Sequence, residues 1–126
     1  MRNSTLIEAE LRRILLDKGL AQFGDSLLNF AYSLALTENT GKPQGHKIQD
    51  KILAEASVTS GLRKHLPRRV DRGDVANGYE ALIAYAWIKK QVSLDEIVAT
   101  LKNTDSMVQS HSFVGLAELV MSRIIN

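Results

Sequence analysis

An all-α helical bundle is the fold class this sequence predicts, and three observations carry the prediction. Apolar residues recur at three- and four-residue spacing, the period of a helix with one buried face, rather than alternating as along a half-buried strand. Only two prolines, Pro43 and Pro67, interrupt the chain. A Ser or Thr followed three residues later by Glu, a helix-start signal, stands before two of the apolar runs. With 126 residues, 44% of them hydrophobic, one domain over residues 1–126 can bury a sizeable core. No repeat, low-complexity tract or long linker divides it.

The elements follow in chain order. The Thr5…Glu8 capping box opens a first helix that ends near Gly19, with Ile7, Leu11, Ile14 and Leu15 on its apolar face. A second helix over residues 20–38 carries Phe23, Leu27, Phe30, Ala31, Leu34 and Ala35 at helical spacing, so much of its surface is expected to be buried. Residues 39–45 form a loop by their Gly and Pro content. A third helix over residues 46–60 turns Ile48, Ile52, Leu53 and Ala56 inward and stops at Gly61, and residues 62–66 add a short turn before Pro67. Residues 71–90 read as a long, largely buried helix carrying Val75, Tyr79, Leu82, Ile83, Ala86 and Trp87. Ser93…Glu96 is a second capping box and opens a short helix to about residue 102. Asp105 or Ser106 caps a last helix through Met107, Val114, Leu116, Val120 and Ile124.

Composition removes several function classes. Lysine and arginine number 16 against 14 acidic residues, so a net charge of +2 announces no partner and the distribution of charge has to decide. The absence of cysteine excludes disulfides, thiol catalysis and thiolate zinc sites, and fits a reducing cytoplasm. The N-terminus leads into a charged amphipathic stretch rather than an apolar signal core, and no run is long enough to span a bilayer. A cytoplasmic protein with no membrane partner is expected. His46, His65 and His111 show no paired ligand spacing, and Ser26, Ser33 and Ser57 lack a nucleophile-elbow context.

Two acids stand where a helix should be apolar, Asp25 within residues 23–30 and Glu80 within residues 77–84. A carboxylate on an apolar face costs several kcal/mol to desolvate unless it has a partner, a proton or a metal. Gln22, Asp25 and Asn29 share one stripe of the second helix, and Asp74, Asn77 and Glu80 share one of the fourth. If these helices pack side by side, the two carboxylates repel unless one is protonated or a cation sits between them. Mg²⁺ satisfies such a pair, takes one or two protein carboxylates and keeps waters that can attack a phosphodiester. A structural role for each acid, solvated or hydrogen-bonded to a neighbouring helix, remains open at this point.

Gly24-Asp25-Ser26 in a long apolar helix, followed by Tyr79-Glu80-Ala81-Leu82-Ile83-Ala84, resembles the two signatures of the ribonuclease III catalytic domain. The intervening Asp50-Lys51-Ile52-Leu53-Ala54 and Gly61-Leu62 are similar to that family's middle helix, so the resemblance covers residues 20–87. With no double-stranded-RNA-binding domain following, the chain looks most like the compact, stand-alone Mini-III type. The resemblance implies an all-helical homodimer that hydrolyses double-stranded RNA with Mg²⁺, or Mn²⁺ in its place. It implies one active centre per subunit, with Asp25 and Glu80 as the metal-binding, catalytic pair. Ala21 stands where full-length members usually place a glutamate, Asn77 where they place an aspartate, and Lys51 at the apparent place of the middle-helix acid. Asn77 can still offer a neutral oxygen to the metal. Gln22 replaces the usual apolar residue near the dimer seam.

Arg63, Lys64, His65, Arg68, Arg69 and Arg72 cluster around Pro67, and Lys42, His46, Lys47 and Lys51 form a looser second group. Such a cluster neutralises phosphates with little regard to sequence, which suits an A-form duplex read by shape. Lys47, Arg63, Lys64, Arg68, Arg69 and Arg72 are the expected RNA contacts. The leading expectation is a Mg²⁺-dependent endoribonuclease of double-stranded RNA. Its rivals are a catalytically inactive RNA-binding or ribonucleoprotein-assembly module of the same fold, and a helical dimerisation protein.

Overall fold

The computed structural model describes residues 4–103 and 109–125, with side chains from residue 7 onward. The described chain is helical throughout: α1 (Ser4–Leu15), α2 (Lys18–Thr40), α3 (Asp50–Ser60), a 3₁₀ turn (Leu62–His65), α4 (Arg72–Ile88), α5 (Leu94–Leu101) and α6 (His111–Ile125). Helix α4 is the axle. It packs against α2 most extensively and also against α1, α3 and α6, while α5 lies on α2 and α6. Residues from Gly78 to Ala84 are buried without a break, so α4 has no solvent face over that stretch, as a helix surrounded by others must. Tyr79 is fully buried, and its hydroxyl donates to the Phe113 carbonyl at 2.6 Å, tying α4 to α6.

Local signals set most of the boundaries. Gly61 takes φ 91° after α3, a left-handed conformation open to glycine at little cost. Asp71 and Asp74 form a reciprocal capping box at the start of α4, and Ser93 and Glu96 do the same for α5. Asp74 is therefore engaged at a helix end. Two boundaries differ from the expectation. Helix α1 ends at Leu15 rather than near Gly19, because Asp17 caps α2 by accepting the Leu20 amide at 2.9 Å. Helix α3 starts at Asp50 rather than at residue 46, because residues 44–48 are held extended by side chains of α2. The Thr5 cap and the Asp105 or Ser106 cap, with Met107, lie outside the described residues.

The buried stripe of α2 runs through Ala21, Gly24, Leu27, Leu28, Ala31 and Ala35. Phe23 and Phe30, expected inward, are 41% and 55% exposed. They stand seven residues apart on one line outside that stripe. Phe23 packs against the half-exposed Trp87 with ring centroids 5.6 Å apart. Among the described residues no helix is long and apolar enough to cross a membrane.

Candidate active site

Where α2 and α4 cross, Gly24 lies directly on the backbone of Glu80. A β-carbon there would fall far inside contact distance of the Glu80 carbonyl and 3.0 Å from its Cα. Only a glycine admits this approach, and it sets the neighbouring Asp25 beside Glu80. The arrangement expected from the two acidic intrusions is thus present: the helices pack, and both acids reach one cleft of about 380 Å³. Lys18, Ala21, Gln22, Asp25, Lys47, Asp50, Asn77 and Glu80 line it.

Glu80 is 6% exposed, and its carboxyl is pushed up to about 8. Burial is the largest cause, followed by a hydrogen bond to Asp25 and the negative charges of Asp25 and Asp50; Lys47 offsets part of this. In the absence of a cation Glu80 is therefore protonated at neutral pH and donates to Asp25. Asp25 is held from its other side by Asn29, whose amide nitrogen donates to Oδ1 at 3.0 Å.

The cleft offers oxygen donors, the Asp25–Glu80 carboxylate pair with Asp50 and Asn77 also in its lining, and oxygen is the donor type a hard divalent cation prefers. A cation would replace the proton that now relieves the Asp25–Glu80 pair. Among the described residues no three histidine, aspartate or glutamate side chains stand together as a group that could hold a metal ion, so Asp25, Glu80 and Asp50 are not a three-carboxylate site as they stand. A small cation held here would keep several waters, as Mg²⁺ does when bound by one or two carboxylates.

Asp50 and Lys18 are the lining residues that the sequence reading missed. Asp50, itself exposed, stands three residues before the buried Leu53 at the start of α3, whereas Lys51 lies four residues before the exposed Glu55. That spacing distinguishes the acid at 50 from the lysine at 51. Lys18 lies seven residues before Asp25 and so on the same stripe of α2.

The basic residues divide. Lys47 lines the cleft. Arg63 turns inward, donating to the carbonyls of Pro67 at 3.0 Å, Arg68 at 2.9 Å and Leu66 at 3.5 Å, so its guanidinium is used by the loop itself. His65 pairs with Glu8 at 2.9 Å and ties the loop to α1. Lys64, Arg68, Arg69 and Arg72 are exposed.

An all-helical domain with a carboxylate pair at a glycine-mediated helix crossing is the class defined by this fold and cleft. A family model described as ribonuclease III matches residues 18–120, and the chain belongs to the ribonuclease III family. That family is one of endoribonucleases of double-stranded RNA that generally use divalent metals. No curated protein sequence matches the chain.

Proposed function

We propose that the chain is a Mg²⁺-dependent endoribonuclease of double-stranded RNA, with the Asp25–Glu80 cleft as its catalytic centre. The buried Glu80 carboxyl, set against Asp25 in a cleft open to solvent, is the observation that carries this reading. A bound Mg²⁺, or Mn²⁺ in its place, supplies a water of lowered pKa and positive charge beside a phosphoryl oxygen. Asp25 and an ionised Glu80 would hold the ion, and Asn77 and Asp50 line the same cleft. Lys18 and Lys47 draw the scissile phosphate towards the carboxylates, and Lys64, Arg68, Arg69 and Arg72 hold the flanking duplex by its backbone. The exposed apolar face of Phe23, Phe30, Trp87 and Ile88 supports a homodimer that offers one centre to each strand of the cytoplasmic RNA.

Ala21 and Asn77 in the lining favour the rival reading, a non-catalytic RNA-binding module, since two lysines there nearly balance three acids. Long double-stranded RNA incubated with Mg²⁺ separates the two. The wild type should cut it, and Asp25→Asn or Glu80→Gln should lower the rate by about 100-fold or more, the scale of losing an electrostatic catalytic group. Binding of RNA without cutting under any divalent metal would favour the module.

A further inference from the structure

Along α2, Asn29, Ser33 and Thr37 stand four residues apart, and each grips one residue of the strap over residues 44–48 that returns antiparallel to the helix. The two periods match, because four helical residues advance about 6 Å and two extended residues about 6.6 Å. At the two rungs away from the cleft a single hydroxyl serves both backbone groups of one residue. Thr37 Oγ1 accepts from the Gln44 amide at 3.1 Å and donates to its carbonyl at 3.2 Å. Ser33 Oγ accepts from the His46 amide at 2.7 Å and donates to its carbonyl at 3.3 Å.

The rung nearest the cleft breaks this pattern. Asn29 accepts the Ile48 amide on its oxygen at 2.8 Å but sends its nitrogen to Asp25 Oδ1 at 3.0 Å. Its partners fix the orientation of the amide, since a backbone N–H only donates and a carboxylate only accepts. We infer that Asn29 is a positioning residue that aims Asp25 and, with the same side chain, registers the strap that brings Lys47 and Asp50 into the cleft. The inference rests on the catalytic reading of that cleft. A serine in its place reaches one partner at a time, and an aspartate accepts from Ile48 but sets a second carboxylate against Asp25.

Two variants of the whole chain test this. Asn29→Ala removes both arms, and Asn29→Asp keeps the acceptor for Ile48 while removing the donor to Asp25. Amide exchange at Ile48, measured without metal, should quicken tenfold or more in Asn29→Ala and stay slow in Asn29→Asp. Cleavage of long double-stranded RNA with Mg²⁺ should fall tenfold or more in both, in kcat rather than KM, because a misaimed carboxylate leaves the duplex contacts intact. The role is overturned if Asn29→Ala leaves either Ile48 exchange or kcat at the wild-type value, or if Asn29→Asp cuts at the wild-type rate. Wild-type protein that cuts nothing overturns the catalytic reading and this role with it, whereas wild-type cutting beside unaffected variants overturns this role alone.

Discussion

Glu80 concentrates the chemistry of the protein in one carboxyl group. Burial and the facing Asp25 push it from 4.5 to about 8, so the folded state holds this proton more tightly than the unfolded chain does. The stability it contributes is therefore full below pH 4.5 and is lost as pH rises through about 8, with a slope of at most ~1.4 kcal/mol per pH unit for one proton. Thermal melts in EDTA should show this fall between those pH values. Glu80→Gln, which keeps the hydrogen-bonding shape and cannot ionise, should flatten it. Saturating Mg²⁺ should flatten it too, because the cation favours the ionised form. Parallel profiles for wild type and Glu80→Gln would show that the Glu80 proton carries no such linkage.

At the scale of elements, the site depends on how closely α2 approaches α4. Gly24→Ala places a methyl group against the Glu80 backbone, where no flexible side-chain tip can move aside. The helices must separate, at a cost of about 1–3 kcal/mol or more, the usual range for overpacking. A urea titration should register that loss, and cleavage should fall with it as the carboxylates part. The same scale explains what was legible in the sequence. The Gly61 stop and the Ser93 cap are local signals, and both were readable. The break between α1 and α2 was harder, because Gly19 imitates a stop and the cap is Asp17, two residues earlier. The strap could not be read from periodicity, since Ser33 and Thr37 act not by apolar spacing but by bonding the backbone of His46 and Gln44, 13 and 7 places further along the chain. Asp25 and Glu80 were legible as charges inside apolar runs, whereas Asp50 was hidden by the adjacent Lys51.

At the scale of the whole molecule, the proposed homodimer rests on exposed apolar side chains of α2 and α4. Phe23, Phe30, Trp87 and Ile88 are exposed, and Phe23 and Trp87 touch; a contiguous apolar patch would mark an interaction surface. Periodicity placed both phenylalanines inside because seven-residue spacing fits a core stripe equally well; only the packing of α4 against Gly24 shows which stripe faces inward. Phe23→Ser combined with Trp87→Ser should shift the protein from dimer to monomer in sedimentation at unchanged helix content. Cleavage of the two strands should then become uncoupled. A wild type that sediments as a monomer at micromolar concentration would remove the paired-strand mechanism.

On the proposed reading, the Asp25–Glu80 pair takes a divalent cation in exchange for a proton. Mg²⁺ titrated into the RNA-free protein at pH 7, with released protons counted, tests it most directly. With Glu80 near 8, each ion bound should release about one proton, and the release should vanish in Glu80→Gln. Mg²⁺ binding with no proton release, or the same release in Glu80→Gln, would contradict the account.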